Sequence, residues 1–267
     1  MFKHKPLLSL LLCLTLAACS TVAITGRKQF NLIPANTMLS MSYQQYGEVI
    51  RSSKLSSNTV QTAMVKRCGE RIQKAVEQYF AQNNLSQQLR GFEWEFNLIE
   101  SEQVNAWCMP GGKVAFYTGI LPLTRDETGL AVVMGHEIAH AVAEHGSERM
   151  SQGLLAQFGG MALDKALESK PDATRALLLG AFGVGAQLGV LLPFSRLQES
   201  EADRLGLIFM AMAGYDPNEA INFWQRMAAA KGGQAPPEFL STHPSDETRI
   251  RQIRDLLPEA MSYKKYR

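Results

Sequence analysis

Residues 136–140 read His-Glu-Ile-Ala-His inside an apolar stretch, Leu130-Ala-Val-Val-Met-Gly-His-Glu-Ile-Ala-His-Ala-Val-Ala143, whose composition predicts a buried helix. On such a helix His136 and His140 lie only about 40° apart, so both imidazoles reach one ion. Neutral imidazoles suit Zn²⁺, and a pair one turn apart supplies half of a tetrahedral site without distorting the backbone. Glu137, beside the first histidine, stands where a general base takes a proton from a water that the metal acidifies. Chance produces this pattern on the order of once in two hundred chains of this composition, and its ordinary setting is a surface helix. The flanking Val, Met, Ile and Ala instead bury the polar groups, which is costly unless they are ligands.

Two histidines leave such an ion short of a protein ligand. In the metzincin pattern a third histidine follows six residues after the second, beyond a turning glycine, but here position 146 is Gly and His145 comes one place early. If the helix runs on, from Arg125 or Asp126 to about Met150, His145 lies about 180° from His136 and serves as a packing or capping residue. The alternative is a carboxylate from a second helix, and Gln198-Glu-Ser-Glu-Ala-Asp203 offers two glutamates. Glu199 and Asp203 share a face at i, i+4, whereas Glu201 points about 160° away. Glu199 is therefore expected at the zinc, with a water in the fourth place. Asp203 accepts a hydrogen bond from a ligating imidazole, and Glu201 is exposed or salt-bridged.

The leader is the next constraint. Met1-Phe-Lys-His-Lys5 is basic, Pro6 to Leu16 is apolar, and Leu16-Ala-Ala-Cys19 ends in a small-residue cleavage site. Residues 1–18 are expected to be a signal peptide and 19–34 a tether, with 35–267 as one domain. Cleavage removes Lys3 and Lys5, so 27 basic residues become 25 against 25 acidic ones. A balanced chain offers no electrostatic footprint for nucleic acid. Cys13 leaves with the leader. In an oxidising compartment Cys68 and Cys108 either pair as a disulfide or remain buried thiols, and the sequence leaves both open.

The elements predict an α+β fold. Residues 35–84 read as helical, with Val60, Met64, Val65, Ile72, Ala75, Val76 and Tyr79 as the apolar stripe, ending at Asn83-Asn84. Strands are expected at 92–99, 104–109 and 113–118, the last two joined by Pro110-Gly-Gly112, and helices near 196–213, 217–230 and 246–257. Ala176 to Phe194 is apolar and of spanning length, but its four glycines and Gln187 favour packing against the metal helix over membrane contact.

At this point the chain resembles the gluzincin peptidases related to the CAAX prenyl protease, the mitochondrial Oma-type protease and the bacterial HtpX protease, and most of all their soluble periplasmic lipoprotein members. The likeness rests on His136-Glu-Ile-Ala-His140 and Glu199-Ser-Glu-Ala-Asp203. It extends to Thr25-Gly-Arg-Lys-Gln-Phe-Asn31, Asn105-Ala106, Pro110-Gly-Gly112 and Thr242-His-Pro-Ser245 with Arg249. Trp107-Cys108 departs from the smaller residues of relatives. The resemblance implies a mainly helical zincin-like (minigluzincin) metallopeptidase domain with a small sheet beside the active-site helix, holding one Zn²⁺ per chain. It implies polypeptide substrates, namely misfolded envelope proteins, laid along an edge strand through Asn105, Ala106 and Met109. His243 and Arg249 become donors to a developing oxyanion, with His243 alternatively capping the zinc at rest. Cys19 becomes a lipidation site, and Ser20 after it directs the lipoprotein to the periplasmic side of the outer membrane.

Overall fold

The computed structural model describes residues 19–168, 172, 192–230, 239–243 and 247–264. A two-stranded antiparallel hairpin, β1 (Cys19–Thr21) with β2 (Lys28–Phe30), opens the chain. Residues 19–34, expected as a tether, thus fold onto the domain: Val22 is buried, and polar side chains of the hairpin reach the far helices, as described below.

The first long helical segment is broken. Helix α1 (Ala35–Ser52) stops, and α2 (Thr59–Gln82) starts at an Asn58 cap whose side chain accepts from the Gln61 amide at 3.1 Å. Between them the backbone bonds the segment 98–100 instead of a helix: the Ser56 amide donates to the Leu98 carbonyl and the Glu100 amide to the Lys54 carbonyl, both at 2.8 Å. The Ser-Ser and Ser-Ser-Asn sequence there carried this signal, since such residues compete with helical bonds. Val65, Ile72, Ala75, Val76 and Tyr79 form the buried stripe, while Val60 is 78 % exposed because it precedes the first buried turn.

Strands β3 (Glu95–Ile99), β4 (Ala106–Met109) and β5 (Lys113–Tyr117) form one sheet in the order β3-β5-β4. β3 runs parallel to β5 and β4 antiparallel, so β4 is an edge. The β4–β5 turn needs glycine: Gly111 and Gly112 have φ of 88° and 81°, and a Cβ on either would enter the Tyr43 or Trp94 ring.

After a short α3 (Leu121–Thr124), helix α4 (Glu127–Val142) forms the core of the domain, every residue from Gly129 to Val142 being buried. Its Asp126 cap accepts from the amides of Thr128 and Gly129 at 2.8 and 2.9 Å. It does not continue to Met150. Glu144 adopts φ 58°, and a new helix, α5 (His145–Ala166), leaves in another direction. Helices α6 (Leu192–Met212), α7 (Glu219–Ala230), α8 (Phe239–Thr242) and α9 (Glu247–Ser262) complete the description. α9 runs through Pro258, where the expected helix stopped; its charged face is solvated and Ile253 and Ala260 stay packed.

Helices α4 and α6 approach closely. An added Cβ on Gly206 would lie 2.9 Å from the Gly135 carbonyl carbon and the His136 amide, so the two backbones meet with nothing between them. Among the described residues no helix is long and apolar enough to cross a membrane. The run 176–194 lies, except for its last three residues, outside the described residues.

Candidate metal centre

The glycine crossing sets the site, because it brings the face of α6 carrying Glu199 and Asp203 against the α4 face carrying His136 and His140. His136 Nε2 and His140 Nε2 stand 3.1 Å apart, and the Glu199 carboxylate lies 3.4 and 3.3 Å from them. His243, following α8, adds a fourth donor: its Nδ1 is 3.1 Å from His136 Nε2 and 3.0 Å from Glu199 Oε2. All four groups are buried. Zinc bonds of about 2.0–2.1 Å at tetrahedral angles require donor separations of about 3.3 Å, close to the 3.0–3.4 Å found here between neighbouring donors, so this set suits the ion. His243 Nδ1 thus lies within reach of the same point as the other three donors. That residue is held by its amide bond to the Phe239 carbonyl at 2.9 Å and by stacking on the Phe239 ring.

Electrostatics favour a cation. Burial disfavours a charged His136, but Asp203 and Glu199 outweigh it and push the ring up to about 9; the same field attracts a metal on the Nε2 side. Burial drives His140 down, which keeps it in the neutral form a ligand needs. Burial would raise Glu199, yet its three histidine neighbours outweigh this and hold it far below the ordinary carboxylate range. Burial raises Glu137. Its Oε1 has no hydrogen-bond partner among the described residues and lies 3.3 Å from His243 Nε2, a lone acceptor beside the donor cluster.

Asp203 stands where sequence reasoning put it, 3.0 Å from His136 Nδ1. Glu199, and not Glu201, meets the rings; Glu201 is salt-bridged but buried at 8 % exposure, because the hairpin covers it. Arg249 is buried beside both carboxylates. Its Nε and Nη2 donate to Asp203 at 2.8 Å, its Nη1 lies 3.1 Å from Glu199, and its guanidinium sits 3.6 Å over Trp224. It therefore braces the carboxylates of Asp203 and Glu199.

The open side of the centre is a cleft of about 310 Å³, lined by Asn105, Ala106, Trp107, Glu137, Arg149 and His243 among others. Met109 does not line it, since it pairs with Lys113 where β4 enters its turn; Pro110 does. Arg149 was missed from sequence: its Nη2 reaches Glu199 at 3.3 Å from the cleft side, a position that depends on the elbow at Glu144. His145 was expected as a packing residue, but its Nδ1 lies 2.8 Å from His140 Nδ1. Cys68 and Cys108 are both free. Cys68 packs toward the Glu127 carbonyl at the start of α4, whereas Cys108 lies in β4 beside the cleft, so no bond joins them.

A His-Glu-x-x-His helix crossed by a glutamate-bearing helix defines the gluzincin class of metallopeptidase site. The chain belongs to peptidase family M48, whose profile matches residues 66–257. It is 36 % identical over 243 residues to the mitochondrial metalloendopeptidase OMA1 of Schizosaccharomyces pombe, covering 90 % of this chain and 66 % of that protein. The OMA1 of Saccharomyces cerevisiae is 35 % identical over 64 % of this chain and 49 % of its own. The beta-barrel assembly-enhancing protease of Yersinia pestis is 32 % identical over 61 % of this chain and 34 % of its own. The chain thus spans less than two thirds of the length of each of these relatives.

Proposed function

We propose that the chain is a zinc-dependent endopeptidase that cleaves misfolded or mis-assembled cell-envelope proteins. The observation that carries the reading is the convergence of His136, His140, Glu199 and His243 on one point, with the unpartnered Glu137 oxygen beside it. His136, His140 and Glu199 hold the metal. Zinc, when bound, supplies Lewis-acid polarisation of the scissile carbonyl and acidifies a water. Glu137 takes that water's proton as it attacks and returns it to the leaving amine; its raised pKa suits a group that must both accept and donate. His243 would complete the set of residues that hold the metal at rest, and its ring N–H would be the donor offered to the developing negative oxygen. Asp203 fixes the His136 ring, and Arg249 keeps Asp203 and Glu199 charged and oriented.

An extended polypeptide adds to the free edge of β4 near Asn105 and Ala106, which demands backbone bonds and little side-chain selectivity. The envelope assignment draws support from the bacterial relatives named for β-barrel assembly and from the Leu16-Ala-Ala-Cys19 leader. On this reading Cys19 carries lipid and holds the protease at the periplasmic side of the outer membrane.

The chain purified from residue 20 should contain about one zinc and hydrolyse unfolded casein. Chelation should abolish activity and added zinc restore it. Glu137→Gln should keep the metal and lose hydrolysis by roughly 10²–10⁴-fold. A Glu137→Gln protein that cleaves normally refutes the assignment. If that variant is inert yet fully supports envelope assembly in cells, a binding role for unfolded outer-membrane proteins replaces proteolysis. Failure of Cys19→Ser to release the protein from membranes refutes the lipid anchor.

A further inference from the structure

The segment Thr25-Gly-Arg-Lys-Gln-Phe-Asn31 has no part in the mechanism above, yet it points into the site. Its alternate residues present polar groups to three carboxylates. Thr25 donates to Glu201, and Arg27 Nε donates to Glu201 at 2.7 Å. The Arg27 fork grips Glu148 at 3.0 and 2.8 Å, while Gln29 and Asn31 donate to Glu144 at 3.2 and 2.8 Å. Glu144 is the left-handed elbow that ends the metal helix, Glu148 is buried on α5, and Glu201 is buried on α6. His145 lies among them at 1 % exposure.

The hydrogen bonds of His145 dictate tautomers. Its Nε2 is 2.9 Å from Glu201, and because an ionised carboxylate only accepts, Nε2 must carry the proton. Its Nδ1 is then bare and accepts from His140 Nδ1 at 2.8 Å. A proton on His140 Nδ1 leaves the Nε2 lone pair free, and that atom is the one facing Glu199 and His136. His136 has a carboxylate of its own in Asp203. At its Nδ1 side His140 meets the His145 ring where His136 meets a carboxylate, and the chain His145–Glu201–Arg27 takes the place of that carboxylate.

We propose that the Thr25–Asn31 segment of the N-terminal hairpin is a positioning part of the metal centre, setting the tautomer and orientation of His140 through Glu201 and His145. The inference rests on the metal-centre reading above. Partners of this kind alter metal affinity by about 10–100-fold.

Zinc affinity by chelator competition, thermal unfolding of the zinc-stripped protein, and the visible spectrum of the cobalt-substituted protein separate this role from simple clamping. His145→Ala should bind zinc about 10–100-fold more weakly and shift the cobalt bands. His145→Asn, whose Oδ1 overlays Nδ1 as an acceptor, should recover most of the affinity. Arg27→Ala should weaken zinc binding, Arg27→Lys should rescue it only in part, and Lys28→Ala, which disturbs only an exposed bond to Thr21, should bind as wild type. If His145→Ala and Arg27→Ala both hold zinc as tightly as wild type with unchanged cobalt bands, the proposal is overturned, whatever their stability. If wild type itself takes up no zinc, the metal-centre reading fails instead.

Discussion

The α4–α6 crossing gives the most direct test of how the fold builds its site. Replacing Gly206 by Ala places a Cβ 2.9 Å from the Gly135 carbonyl carbon and the His136 amide, and 3.1 Å from the His136 Cα. Ordinary contact begins at 3.4 Å, and these neighbours are backbone atoms that cannot swing away, so the helices must part by about 0.5 Å, the difference of 3.4 and 2.9. Overpacking of this kind costs about 1–3 kcal/mol. Alanine's better helix propensity returns about 1 kcal/mol, leaving a net loss of up to about 2 kcal/mol. At about 2–4 °C per kcal/mol for a chain of this length, the zinc-stripped protein should melt up to about 8 °C lower. Metal donors tolerate displacements of only about 0.2 Å, so Glu199 should be pulled off the two rings and zinc affinity should fall more than stability does. Thermal unfolding in chelator and zinc competition read the two effects separately. Gly153→Ala is the control: a Cβ there meets nothing within 4 Å, and the variant should gain stability, by up to about 1 kcal/mol, without touching zinc. A Gly206→Ala protein that is both more stable and unchanged in zinc affinity refutes the reasoning.

Three further outcomes are expected. Glu199→Ala should lose more zinc affinity than Glu201→Gln, which should cost about 10–100-fold; the reverse order by metal analysis means the ligand has been misassigned. Arg249→Ala leaves Asp203 buried without its bidentate partner and should destabilise the zinc-stripped protein by about 3–5 kcal/mol, whereas unaltered melting with a reduced kcat would restore an oxyanion role. Burial pushes the Cys68 thiol up to about 12 and lifts Cys108 well above its ordinary value, so Ellman's reagent at pH 8 should label both quickly only after unfolding. A Cys68–Cys108 bond in protein purified without reductant contradicts the structure.

Much of the site was legible because it is written in local geometry. His136, Glu137 and His140 are neighbours on any α-helix, and Glu199 with Asp203 follows from the same periodicity, which is why Glu199 was preferred to Glu201 before any distance was known. The strands were legible through alternation and the Gly111-Gly112 turn. Less legible were the interruptions: helix periodicity spans Ser53 to Asn58, whose backbone bonds go to the distant Leu98 and Glu100, and it runs past Glu144, whose left-handed elbow is held by the distant Gln29 and Asn31.

The sequence by itself determined which residues could serve as ligands, which acid stands beside the metal, and the helical and strand periods that carry them, because these depend on backbone geometry over a few residues. Only the tertiary structure decided that Arg249 bonds Asp203, that His145 meets His140, that Cys68 and Cys108 lie apart, and that residues 25–31 bond Glu144, Glu148 and Glu201. Those facts depend on where distant segments cross. Here the crossing of α4 and α6 is governed by two glycines, Gly135 and Gly206, whose spacing along the chain says nothing of their contact in space.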